Sequence, residues 1–217
     1  MSGRHGTLHQ LYQGVTGEFV VIGEHSGLDV AADSKGLLHA RPLAAGRGAH
    51  SAYPWLGDNA LDRLVTTVAR LLARYPRPNE AAWRTTLNLA RIDTPNRAFN
   101  QISARAEAWL DISFPTENGD LGGRTVEEVT QFLGAFCEPG VVAVVDQLEP
   151  AHHADHDRSE VSLLQRAAHR QGYRAEFLYK HGAGDGRSTP VEASTRSRSG
   201  WRRRSARGPG VCRRCPL

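Results

Sequence analysis

The chain is poor in cysteine and in aromatic residues, and none of its apolar runs is long. Three cysteines among 217 residues (Cys137, Cys212 and Cys215) cannot form a disulfide framework, so nothing in the thiol content argues for an oxidising compartment. Cys212-x-x-Cys215 has the spacing of half a metal site, but neither a second pair nor histidines accompany it at zinc-finger distance, and a structural zinc is not expected there. No apolar stretch approaches the ~18 residues of a membrane span. The N-terminus, Met1-Ser-Gly-Arg-His-Gly-Thr7, lacks the apolar core of a secretory signal. Cytoplasmic residence without a membrane partner is therefore the expectation. Internal repeats are absent as well.

What remains is the composition of a soluble globular protein, with 40% apolar and 23% charged residues. The length suits one medium domain, or a small domain with part of another. The formal charge of +4 is unevenly spread, because residues 188–217 hold eight Arg against one Glu and leave everything before them net acidic. That terminal segment is rich in Ser, Arg, Gly and Pro without apolar periodicity, and disorder is expected for it. Trp201 is its only aromatic platform for a base, so nucleic acid is not an expected partner.

Along the body, Phe19-Val-Val-Ile22 followed by Gly23-Glu24 reads as a buried strand that ends on a carboxylate, the place where open α/β sheets put their chemistry. Residues 36–45 predict a weak strand that Pro42 assigns to a sheet edge or a bulge. Leu61, Leu64, Val65, Val68, Leu71 and Leu72 recur at helical spacing, with Asp58 or Asn59 to cap the start and Pro76 and Pro78 to end it. Residues 83–92 and 102–114 read as strands, the second alternating Ala104, Ala106, Ala108, Leu110 and Ile112 with charged or bulky residues.

Thr125-Val-Glu-Glu128 is a capping box ahead of the stripe Val126, Val129, Leu133 and Phe136, and residues 141–148 close the set as a strand. The order from 36 to 148 is strand, helix, strand, strand, helix, strand, which is the ferredoxin-like split arrangement. Beyond Pro150, His152, His153, Asp155, His156 and Asp157 read as a polar hinge, since ligands so adjacent converge on a metal only when a turn or helix aims them. A helix over 159–171 and a strand over 176–179 follow. Elements on both sides of the βαββαβ unit imply that it is inserted in a larger α/β domain.

Four segments carry a resemblance. Gly23-Glu-His-Ser-Gly-Leu28, Gly46-Arg-Gly-Ala-His-Ser-Ala-Tyr-Pro54 with Gly57-Asp-Asn-Ala60, Asn100-Gln-Ile-Ser-Ala-Arg-Ala-Glu-Ala-Trp-Leu-Asp-Ile112, and Gly182-Ala-Gly-Asp-Gly-Arg187 are similar, in order, to motifs of one family. It is the zinc-dependent metallopeptidase and amidohydrolase family of acetylornithine deacetylase, succinyl-diaminopimelate desuccinylase and glutamate carboxypeptidase. The resemblance implies a ferredoxin-like dimerisation lid inserted in a partial α/β catalytic domain, divided as 1–32 (catalytic), 33–149 (lid), 150–187 (catalytic) and a 188–217 basic tail.

It also implies a homodimer through the lid, two zinc ions, and hydrolysis of an amide bond in a peptide or N-acyl amino acid. Glu24 falls on a metal ligand, His50 on the lid histidine that crosses the dimer to donate to the oxyanion, and Asn100 on a substrate-binding amide. Ser113 stands where the family has an Arg that grips a substrate carboxylate, a charged bidentate contact that a hydroxyl does not give. The remaining zinc ligands and the general base would fall before Met1 and beyond Arg187, so the resemblance implies an incomplete family member, inactive as it stands. The other reading is a non-catalytic dimerisation module that binds a ligand through the lid. The change of composition past Arg187 is what a GC-rich message read out of frame would give.

Overall fold

The computed structural model describes residues 7–15, 17, 19–23 and 26–184. In chain order these form a short helix Thr7–Tyr12 (α1), strands Val30–Ser34 (β1) and Gly36–Ala45 (β2), helix Ala60–Arg74 (α2), and strands Thr86–Asp93 (β3) and Arg105–Phe114 (β4). Helix Val126–Gly134 (α3), strands Val141–Glu149 (β5) and His152–His153 (β6), helix Ser159–Arg170 (α4) and strand Phe177–Lys180 (β7) complete the set. Two sheets result. The larger has the order β3-β4-β2-β5 with every neighbouring pair antiparallel, and the smaller has the order β6-β1-β7. With β2 and β4 at the centre and a helix after each, the larger sheet is the expected split βαββαβ unit.

Period-two alternation decides which face of that sheet is buried. In β4, Ala106, Ala108, Leu110, Ile112 and Phe114 are buried while the residues between them are half-exposed. In β2, Leu38, Ala40, Pro42 and Ala44 point the same way. Helices α2 and α3 cover this face, packing Leu64, Val68 and Leu71 from one and Val129 and Leu133 from the other. Each of the larger side chains contributes about 1.5–3 kcal/mol by leaving water. The opposite face is polar: Arg41 donates to Asp146 at 2.7 and 2.8 Å and to Glu107 at 3.3 Å, and His39 lies 3.7 Å from Asp111. The Arg41 hydrogen bonds hold the Asp146 carboxyl below its ordinary value.

Both helices start on a side-chain cap. Asn59 Oδ1 accepts from Leu61 N–H at 3.1 Å, which leaves the neighbouring Asp58 free to pair with Arg63. At α3 the Thr125 hydroxyl accepts from Glu128 N–H at 3.3 Å and the Glu128 carboxylate accepts from Thr125 N–H at 2.8 Å, a reciprocal capping box.

Two expectations are corrected. Phe19-Val-Val-Ile22 is not a strand: Val20 and Val21 are exposed at 52% and 62%, and no described strand pairs with them. β-branched residues form strands only where a neighbour and a burying surface exist, and the strand preceding the inserted unit is β1 instead. β2 is central rather than an edge, although a register shift between His39 and Ala40 supplies the expected bulge. Pro42 is tolerated there because the ladder to β4 breaks off at Ala40 and resumes at Leu43, so no hydrogen bond is asked of the missing N–H.

The flanking segments meet in the smaller sheet. β1 runs parallel to β7 and antiparallel to β6, so chain on both sides of the unit is tied together at its base. Lys35 and Gly36 form the joint. The Lys35 ammonium donates to the Arg84 carbonyl at 2.6 Å, and burial pushes its pKa down. A Cβ at Gly36 would lie 2.5 Å from the Phe114 ring and 2.7 Å from the Glu149 carbonyl oxygen, so only glycine passes between the ends of β4 and β5. Among the described residues no helix is long and apolar enough to cross a membrane.

Candidate functional site

Two loops at one end of the larger sheet build the first constellation. The loop after β2 returns on itself, with Arg47 and Asp58 exchanging backbone hydrogen bonds at 2.8 Å. A second pairing joins it to the loop before β4: Ser51 N–H donates to Asn100 carbonyl at 2.9 Å, Ile102 N–H donates to Ala49 carbonyl at 2.8 Å, and His50 bridges Gln101. Asn96 braces the second loop through its Nδ2, which donates to the Gln101 carbonyl at 2.7 Å. Thr94 adds a contact of 2.7 Å to the Ser103 hydroxyl. His50 and Asn100, 50 residues apart in sequence, are thereby neighbours.

Their chemistry follows from the partners of the imidazole. His50 Nδ1 accepts from Ala52 N–H at 3.1 Å, so the neutral ring carries its proton on Nε2. His50 Nε2 lies 3.4 Å from Asn100 Nδ2. With the Nε2 proton so placed, these are two N–H donors side by side. An oxygen about 2.9 Å from each would accept from both. The ring leans on Tyr53, with 5.8 Å between centroids, and Tyr53 meets Trp55 edge-on at 5.7 Å. Both side chains are exposed, and so are Tyr53, Trp55 and Phe99 around them, Phe99 completely. Beside the loops, a cavity of about 600 Å³ is lined by Leu43 and Val142 together with Asp93, Arg97, Arg105 and Glu107.

The third residue expected from the sequence, Glu24, lies outside the described residues, as do Asp185 and Arg187 of the glycine-rich turn and the whole 188–217 tail. The partners of His50 are a backbone amide, a side-chain amide and a tyrosine ring, none of them a metal ligand, so the described residues do not assemble the two-zinc cage around it. They do bring together a cluster that the sequence reading passed over. Asp33, His153 and His156 place one ligand atom each within 4.8 Å of the others. The His-x-x-His spacing was visible; the missing part was Asp33, which reaches it only because β1 pairs with β6.

Comparison with known proteins bears on the fold. Residues 33–139 match the peptidase dimerisation domain of the M20 family. A probable carboxypeptidase of Aspergillus flavus is 32% identical over 123 residues, covering 51% of this chain and 29% of that protein. A succinyl-diaminopimelate desuccinylase of Acidiphilium cryptum is 30% identical over 151 residues, covering 65% of this chain and 41% of that protein. This chain thus spans well under half the length of these curated relatives. Among solved structures, the aminopeptidase PepT of Bacillus cereus superposes with a TM-score of 0.63 at 16% identity, covering 88% of this chain and 52% of that one. A tripeptidase of Staphylococcus aureus gives 0.61 at 15% identity, covering 81% and 46%. At such identity these two speak for the fold alone. The βαββαβ unit and the match over residues 33–139 together show that this chain carries a peptidase dimerisation domain of the M20 type.

Proposed function

We propose that residues 33–149 are the dimerising lid of a metal-dependent hydrolase that cleaves the amide bond of a peptide or an N-acyl amino acid, with residues 1–32 and 150–187 belonging to its catalytic domain. The donor pair carries this reading. When water adds to an amide carbonyl, the oxygen gains a negative charge, and two preorganised N–H groups that converge on it stabilise that charge more than they stabilise the neutral substrate. His50 Nε2–H and Asn100 Nδ2–H, 3.4 Å apart, have that disposition. Their exposure fits a site covered by a twin subunit, toward which the lid histidine would reach. The family's metal ions polarise the carbonyl and activate water. In this chain the residue assigned to them is Glu24. Zinc is the metal and cytoplasm the compartment of this proposal.

The absence of a two-metal cage among the described residues favours a second reading, a non-catalytic dimerisation module that binds a small ligand through the same loops. Sedimentation equilibrium and calorimetry with a phosphinic dipeptide, a mimic of the tetrahedral intermediate, separate the two. The hydrolase-lid reading predicts a dimer that binds the phosphinate. His50→Ala and Asn100→Ala should each weaken that binding at least ~10-fold, as expected for losing a hydrogen bond to a charged group. A dimer that binds the phosphinate no better than the parent amide favours the module. A monomer indifferent to both overturns the proposal.

A further inference from the structure

A site unrelated to the loop pair lies at the base of the inserted unit. Asp33, on β1, is 5% exposed, and a buried carboxylate must find compensation for the hydration it loses. Its two oxygens face two different histidines. Oδ1 lies 2.6 Å from His153 Nδ1, a short hydrogen bond, and Oδ2 lies 3.6 Å from His156 Nε2, too far for one. His156 Nε2 is shut off from solvent and has no hydrogen-bond partner among the described residues. An imidazole nitrogen that is buried, unpaired and pointed at a carboxylate oxygen is a place where an atom is wanted.

The scaffold the sequence did not reveal is present. The register puts Asp33 opposite His153, and Ala154 N–H donates to the Ala32 carbonyl at 2.8 Å, which fixes the strand that carries the first histidine. Asp157 N–H donates to Asp155 Oδ1 at 3.0 Å and turns the chain between the two histidines and α4. The His156 ring stacks on Phe177 of β7, with centroids 4.6 Å apart and planes 14° from parallel. Each ring is thus held by a different element, and both converge on one carboxylate.

We propose that Asp33, His153 and His156 bind a single divalent first-row cation, with zinc as its best representative. In a tetrahedral zinc site the ligand atoms stand roughly 3.4 Å apart, as follows from bonds of about 2.0–2.1 Å. Asp33 Oδ2 and His156 Nε2, at 3.6 Å, already have this spacing. Asp33 Oδ1 and His153 Nδ1, now at 2.6 Å around a shared proton, separate as the cation replaces that proton. Two imidazoles and one carboxylate are the donor set that borderline divalent ions prefer, and His153, whose side chain is 61% exposed, leaves a fourth position for water. The ion staples the chain leaving the inserted unit (β6) to the chain entering it (β1), with β7 behind. None of the three is a residue assigned to the hydrolytic site, so this proposal stands whether or not the hydrolase reading does.

The experiment takes the full chain with Cys212→Ser and Cys215→Ser, which removes the tail thiols as competitors, strips it with a chelator, and titrates zinc calorimetrically and cobalt spectroscopically. The expected result is one zinc per chain and a cobalt spectrum of nitrogen and oxygen ligation. His156→Gln and Asp33→Asn should each weaken zinc at least ~10-fold, the loss seen even for partners one shell further from a metal. His169→Gln, an exposed histidine of α4 outside the triad, should leave the affinity unchanged. Circular dichroism checks that each variant is folded, and if Asp33→Asn is not, His156→Gln decides alone. No zinc binding by the parent, or unchanged affinity in folded His156→Gln, overturns the proposal.

Discussion

A Cβ at Gly46 would stand 2.1 Å from the carbonyl oxygen of Asp58, inside the paired turn that carries His50. The obstacle is backbone, so no rotamer change relieves it, and Gly46→Ala must push the two strands of the turn apart. Overpacking of this kind costs about 1–3 kcal/mol, and the displaced turn also releases His50 from Asn100. The variant should lower the melting temperature and lose phosphinate binding together; thermal unfolding and calorimetry on the same sample check both. The motifs that single out His50 and Asn100 as candidates are local and so were legible in the sequence. Asp33 was not, since its partner His153 is 120 residues away and nothing local marks a strand-end aspartate as a ligand.

The helices are held by their apolar stripes, and their first turns are fixed by caps. Thr125 and Glu128 satisfy each other's backbone donors at the start of α3, and loss of such a hydroxyl costs ~1 kcal/mol. Thr125→Ala should therefore lower the free energy of unfolding by that amount, with a lower urea midpoint, while Thr125→Ser, which keeps the acceptor, should not; equilibrium unfolding measures both. Elements with an intrinsic period, α2, α3 and β4, could be read from the chain because their own residues say which face is buried. Strands β1 and β6 could not, because Val-Ala-Ala-Asp-Ser and His-His carry no pattern of their own and exist through each other. The reverse error at residues 19–22 has the same cause: a strand-like run without a described partner strand stays exposed. Pro42 misled in a third way, since a break in one ladder is enough to admit a proline to a central strand.

At the scale of the molecule, the chain leaves the smaller sheet at β1, builds the larger sheet and its two helices, and returns through β6 and α4 to β7, which lies parallel to where it began. The backbone of Glu176 donates to the Asp29 carboxylate at 3.0 Å across 147 residues of sequence, one of the bonds that close this circuit. A unit so anchored presents its paired loops as a fixed platform, and the position of the His50 proton becomes a property of the fold. Nitrogen-15 NMR of His50 tests this most directly. The account predicts that, once the ring is neutral, its proton sits on Nε2 and that the Nε2 signal shifts when the phosphinic dipeptide is added, a response lost in Asn100→Ala. A ring protonated at Nδ1, or an Nε2 signal indifferent to the ligand, would contradict it.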